Sequence, residues 1–91
     1  MEFEWGDEKY ATNLRDHAIA FEAIRGFNWN TAQIFADDRQ DYGEERQIAR
    51  GMIGERLHVA VFVLRGDATR LISLRKANRR ELALYVAETR T

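Results

Sequence analysis

Apolar and polar positions change their spacing repeatedly along this chain, and each change marks an expected element. The opening Phe3-Glu4-Trp5 alternates with a period of two, which suits a short strand. Asp7 stands where a capping side chain starts a helix, and Tyr10, Leu14 and His17 recur at i, i+4 and i+7. The pattern therefore predicts an amphipathic helix from Asp7 to about His17 with those residues on its inner face. A brief second helix is expected from Phe21, with Phe21 and Ile24 turned inward. Gly26 ends it, because glycine can take the left-handed conformation that closes a helix. Asn28-Trp29-Asn30 reads as loop, Thr31 to Ala36 as strand, and the polar run from Asp37 to Gly43 as turn.

Strand-like segments follow at Glu45 to Ile53, Arg56 to Leu64 and Ala68 to Arg75, separated by Gly54-Glu55 and Gly66-Asp67. Such spacing implies antiparallel hairpins. The middle segment is apolar on both faces, as a central strand is. From about Asn78 the period becomes helical again, with Leu82, Tyr85, Val86 and Thr89 on one stripe and Arg79, Arg80 and Glu81 exposed near the start. The expected fold class is α+β: an antiparallel sheet with two N-terminal helices and one C-terminal helix packed on one of its faces.

Residues 1–91 make a single domain, since a chain this short supports one modest core. Cysteine is absent, which removes disulfides, thiolate catalysis and cysteine zinc sites. The first residues carry acids where a signal peptide needs bases, and the longest apolar run, Val59 to Leu64, is too short to span a bilayer. A cytoplasmic protein with no membrane association is the expectation. The net charge of −1 hides a gradient: residues 1–45 hold four Lys/Arg against eleven Asp/Glu, whereas residues 46–91 hold ten against four. The basic second half can build a phosphate-attracting face, or it can simply be solvated and paired with the acidic half.

The third hairpin strand shows where such a face would lie. In Arg70-Leu71-Ile72-Ser73-Leu74-Arg75, alternation projects Ser73 and Arg75 together, away from Ile72 and Leu74. Arg79, at the start of the last helix, is expected near Arg75, with the helix N-terminus adding N–H donors toward a phosphate. Arginine suits this task because its planar fork binds phosphate bidentately and keeps its charge.

Taken together, these segments resemble the BrnT family of ribonuclease toxins from type II toxin-antitoxin pairs. The resemblance runs from Phe3 to about Tyr85. Phe3-Glu4-Trp5 with Lys9, Asn13 and His17 is similar to the family's opening. Asp38-Arg39, Tyr42-Gly43-Glu44 and Arg46 are similar to its middle, and Arg70-Leu71-Ile72-Ser73-Leu74-Arg75-Lys76-Ala77 with Asn78-Arg79-Arg80-Glu81 to its closing signature. Two positions depart from the pattern. Gly6 stands where Asp is usual, with Asp7 next to it, and Asp16 replaces a commonly basic residue before His17, where an acid can orient the imidazole.

The resemblance implies a RelE-like fold and metal-independent endonucleolytic cleavage of RNA that arrests translation and growth. It also implies neutralisation by a BrnA-type antitoxin with a ribbon-helix-helix DNA-binding domain, the complex binding operator DNA and dimerising through the antitoxin. His17, Arg75, Arg79 and Glu81 are then the expected catalytic residues, and Lys9, Arg46, Arg70 and Lys76 the expected RNA-binding ones, with no cofactor and no metal. On residue type alone, His17 is either the titrating acid-base group or a half-buried helix histidine beside Leu14. Lys9 is either a phosphate clamp or a solvated lysine. Glu81 reads as an orienting partner of the arginines, and Trp5, Trp29 and Tyr85 as core residues more than stacking platforms. His17 and His58 lie on different elements without ligand spacing, and Ser73 has no nucleophile elbow around it. The alternative from another class is a catalytically silent module that acts only by binding a DNA-binding antitoxin.

Overall fold

Hairpins dominate the second half of the chain, and everything else is arranged around them. A computed structural model describes residues 2–39 and 41–89. Its strands are β1 (Glu2–Glu4), β2 (Gln33–Asp37), β3 (Arg46–Ile53), β4 (Arg56–Arg65) and β5 (Ala68–Lys76). Its α-helices are α1 (Asp7–His17) and α2 (Arg79–Thr89), and a 3-10 helix spans Phe21–Gly26. The sheet runs β1-β5-β4-β3-β2. Gly54 and Gly66 take φ of +59° and +58° at the first position of two-residue turns, the conformation of a II′ hairpin and one that matches the twist of the flanking strands. β4 is central and buried along most of its length, as its two apolar faces require.

Several expectations need correction. The sheet is mixed: β2 to β5 are antiparallel neighbours, but β1 returns beside β5 in parallel, pairing Phe3 with Thr69. Parallel pairing needs a long connection, and here nearly the whole chain separates the two strands. The second N-terminal helix is a single 3-10 segment. It does bury Phe21 and Ile24, yet Gly26 does not have positive φ, and the segment passes directly into extended Phe27. β2 starts at Gln33 and not at Thr31. α1 has the expected bounds, but its cap is Gly6 with no side-chain bond. Asp7 is the first helical residue, where its charge favours the positive end of the helix dipole.

The 3-10 segment and α2 lie on opposite sides of the sheet. Ala49, Ala60, Phe62, Leu71 and Leu74 meet Phe21, Ile24 and Phe27 in one core. Trp5, Tyr10 and Trp29 surround it with edge-on and tilted ring contacts, so the tryptophans are core residues as expected. Leu57 and Val59 alternate with His58 and Ala60, face the other way, and pack with Ala77 and Tyr85 of the α2 side. Within α2 the stripe reduces to Tyr85; Leu82 and Val86 are exposed.

A β-bulge sets which β5 residues face which side. Val61 pairs with Ser73, but Phe62 pairs with Leu71, so Ile72 is the extra residue. Strict alternation would send Leu71 and Leu74 to opposite faces. The bulge lets both reach the core, where each is fully buried, while Ser73 and Arg75 share the other face. The expected pairing of Ser73 with Arg75 holds; Ile72 departs from it.

Beyond Arg70 no strand among the described residues lies beside the outer edge of β5. The buried side chain of Asn13 takes that place. Its Oδ1 accepts from the Leu74 N–H at 2.9 Å, and its Nδ2 donates to the Leu74 and Ile19 carbonyls at 2.8 and 2.9 Å. Asn13, not Leu14, is thus the inward residue of α1; Leu14 is exposed. Replacing Asn13 by Ala leaves two buried backbone groups unpaired, and we expect a loss of about 2–4 kcal/mol in urea unfolding. α1 ends at Ala18, whose φ of +57° is costly for a residue with a Cβ. Ala18→Gly is accordingly expected to gain about 1 kcal/mol, or about 4–8 °C in Tm.

Candidate functional site

On the face away from the aromatic core, cross-strand pairing lines residues up in rows. One row runs Gln33, Arg50, Val59, Arg75; the next runs Phe35, Ile48, Val61, Ser73. These rows floor a groove of ≈ 390 Å³ that His17, Arg39 and Glu81 complete from above. A smaller cleft of ≈ 220 Å³ adjoins it, lined by Lys9, Thr12, Asn13, Asp16, Arg46 and Ile72 and sharing His17 and Ser73 with the groove. His17 is in reach of both because α1 lies along the edge of β5, held there by Asn13.

Arg75 is fixed where it stands. Its Nη1 and Nη2 donate to the two oxygens of Glu81 at 2.8 and 2.7 Å, and Nη1 also reaches the Lys76 carbonyl at 3.3 Å. Glu81 is fixed in turn by a capping box. Its Oε1 accepts from the Asn78 N–H at 2.9 Å, while its own N–H donates to Asn78 Oδ1 at 2.8 Å. Hydrogen bonding from Arg75 foremost, then from the Asn78 backbone, with the charges of Arg75 and Arg50 adding to it, holds the Glu81 carboxyl below the usual range. A carboxylate so engaged orients a cation; it is a poor proton acceptor at neutral pH. Of the arginines it was expected to orient, Glu81 bonds Arg75.

Two further arginines belong to the groove. Arg39 donates from Nε and Nη2 to the buried carboxylate of Asp37, both at 2.7 Å, which lowers the Asp37 pKa and raises that of Arg39. Arg50 is buried, lies 4.9 Å from the centroid of the Phe35 ring, and pairs with Glu88 at 3.5 Å. In the cleft, the Arg46 guanidinium sits 3.9 Å over the Tyr42 ring. Among the described residues, Nε of both Arg46 and Arg50 is buried without a hydrogen-bond partner.

The sequence-predicted site residues thus separate into groups. His17, Arg75 and Glu81 line the groove, and Lys9 and Arg46 line the adjoining cleft. Arg79 lies elsewhere, in a depression with Met52, Arg56 and Leu82, and the capping box already engages two N–H groups at the start of α2. Arg70 approaches Glu4 at 3.9 Å and would contact any Cβ placed on Gly6, its Nη2 lying 2.8 Å from that point. Lys76 is exposed and, by alternation, faces away from Arg75. Asp16 engages Arg15 at 3.1 Å. Arg50, Arg39 and Phe35 were missed. Arg46-x-Ile48-x-Arg50 places its residues on one strand face, a signal open to the same alternation argument, and Arg39 stood in the Asp38-Arg39 pair that resembles the family's middle, whereas Phe35 gave no signal beyond a short strand. Among the described residues, no three His, Cys, Asp or Glu side chains group as metal ligands would, and no helix is long and apolar enough to cross a membrane.

Compared with known families, residues 5–81 match the family described as the ribonuclease toxin BrnT of a type II toxin-antitoxin system. No curated protein matches the chain.

The Arg75–Glu81 pair carries a pH signature. A carboxylate lowered on folding stabilises the fold above its unfolded pKa, about 4.3 for glutamate, and that contribution is lost as pH falls through the lower folded value. Urea unfolding followed from pH 7 to pH 2 is expected to show stability declining below about pH 4.5. Glu81→Gln, costing about 1–3 kcal/mol at neutral pH, should flatten that decline, with the Asp37 contribution remaining. An unchanged slope in this variant would contradict the pairing.

Proposed function

From membership of the BrnT family of type II toxin-antitoxin ribonuclease toxins, to which this chain belongs, we propose that the groove between α1 and α2 is the RNA-cleaving site and that it works without a metal ion. The observation that carries this reading is the convergence of His17, Ser73 and Arg75 on one open sheet face, continuous with a cleft that holds Lys9 and Arg46.

Cleavage of RNA through its own 2′-oxygen needs a base for that hydroxyl, positive charge for the phosphorane and an acid for the 5′-oxygen. The 2′-oxygen bonds to phosphorus, the bond to the 5′-oxygen breaks, and the products are a 2′,3′-cyclic phosphate and a 5′-hydroxyl. His17 is the imidazole that exchanges a proton with one of those oxygens. Arg75 supplies charge to the phosphorane. Glu81 is a positioning residue: with its carboxylate committed to Arg75, the guanidinium meets the phosphate without reorganising. Lys9 and Arg46 hold a neighbouring phosphate, setting register along the strand. Arginine and lysine supply in place the charge that a divalent cation would otherwise bring. This assigns Arg79, Arg70 and Lys76 at most to the outer path of the RNA.

The partner implied by a toxin of this kind is an antitoxin. We propose one of the BrnA type, with a ribbon-helix-helix domain whose complex with the toxin binds operator DNA and pairs toxins through the antitoxin. Supporting a cover over the groove, Phe35 at its wall is exposed, and Leu82, Leu84 and Val86 are exposed on α2. A RelE-like description of the fold, and a cytoplasmic place of action, go with this reading.

The test is incubation of the purified protein with total RNA in EDTA. Cleavage is expected, falling about 10²–10³-fold in Arg75→Ala and about 10²–10⁴-fold in His17→Ala, with folding checked by circular dichroism and a smaller effect from Arg79→Ala. Intact RNA with native protein would instead support the silent module that acts only through its antitoxin.

A further inference from the structure

The groove has chemically different ends. His17, Ser73 and Arg75 make a cationic end suited to a phosphate, whereas Ile48, Val59 and Val61 make an apolar floor walled by Phe35. A sugar-phosphate gains nothing from such a floor. A nucleobase does, because its faces are apolar and stack on aromatic rings while its edge carries donors and acceptors. Phe35 is 40% exposed, so part of its ring is open to contact.

Arg50 is the cation at this apolar end, and the cleavage chemistry above does not use it. Its side chain is only 10% exposed and its pair with Glu88 is long at 3.5 Å. The guanidinium lies 4.9 Å from the Phe35 ring centroid and has an unpartnered Nε among the described residues. The buried stem holds the donor fork in one orientation, so little freedom is lost on binding. Resting on the ribonuclease reading, we propose that the Phe35 and Arg50 corner is a nucleobase subsite that selects guanine. Phe35 supports the face of the base, and the adjacent N–H donors of Arg50 meet O6 and N7. Adenine presents an amino donor where guanine has O6, so donor meets donor; uracil has no two adjacent acceptors, and the N3 and O2 pair of cytosine lies on a smaller ring with less face to stack on Phe35. Lysine cannot replace the fork, having one point of charge on a flexible stem.

Titration of the full chain with GMP, AMP, CMP and UMP, followed by the NMR shifts of amides in β2, β3 and β5, tests this. GMP is expected to bind at least about tenfold more tightly than AMP, with the difference shrinking below about threefold in Arg50→Lys and all four nucleotides weakened in Phe35→Leu. Equal binding of the nucleotides by the native protein, no binding of any of them, or a guanine preference intact in a folded Arg50→Lys variant would overturn the subsite. Binding is read without turnover. A protein that prefers GMP yet leaves RNA intact therefore retires the ribonuclease reading and keeps the subsite; one that cuts RNA but binds all four nucleotides alike does the reverse.

Discussion

The hydrogen bonds between the Asn13 side chain and the backbone of Leu74 are the constraint on which the site depends. A strand edge presents N–H and C=O groups that need partners when they are buried. β1 supplies them only as far as Arg70, and from there a carboxamide does the work of a strand, accepting from one N–H and donating to the C=O of the same residue. The substitution closes the edge without further chain and fixes a helix across it. One turn farther along that helix is His17, which therefore lines the groove together with Ser73 and Arg75. The backbone of β5 and the proton-transfer candidate are tied together through a single uncharged side chain.

The positive charge of the site is tolerable because it is distributed among separate anchors. Arg75 leans on Glu81, Arg39 on Asp37, Arg50 on Glu88 and the face of Phe35, and Arg46 on the ring of Tyr42. Each anchor offsets repulsion between neighbouring guanidinium groups and restricts where each can point, so the field over the groove exists before any anion arrives. The steep charge gradient along the chain only partly becomes a spatial one. Glu4 with Arg70 and Glu44 with Arg65 join the acidic half to the basic half, away from the groove. The groove and its adjoining cleft draw on both halves, with His17 and Arg39 in the groove and Lys9 in the cleft from the first.

Local rules made much of the fold legible. Two-residue glycine turns, the doubly apolar β4 and the bounds of α1 depend on neighbours a few positions away, and they stand where alternation and capping put them. What sequence spacing missed depends on distant partners. β1 chooses a parallel seat on β5, the Phe21 segment tightens to a 3-10 helix under the aromatic core, and α2 buries Tyr85 alone because its other apolar residues have no sheet to meet. The site divides in the same way. Arg75 and Glu81 converge through strand alternation and an N-terminal capping pattern, both local. Arg79 was expected beside Arg75 from adjacency in sequence, but as the first residue of α2 it lines a separate depression with Met52, Arg56 and Leu82. Arg50 was within reach of the alternation argument; its role is visible only once Phe35 arrives from another strand.

The extra residue at Ile72 gives the length of the chain a meaning separate from its letters. Leu71 and Leu74 both enter the core, and Ser73 and Arg75 both face the groove, only because one position between them is out of step. Substitution at Ile72 changes a side chain at the lip of the cleft. Deletion there removes the bulge and leaves Leu71 opposite Phe62 and Ser73 opposite Val61 in unbroken alternation, so that Leu71 and Leu74 still face the core and Ser73 and Arg75 the groove. The bulge is therefore a reserve of one residue in this segment: its loss takes away a local bend and twist and the side chain at the lip of the cleft, while the division between core and groove survives.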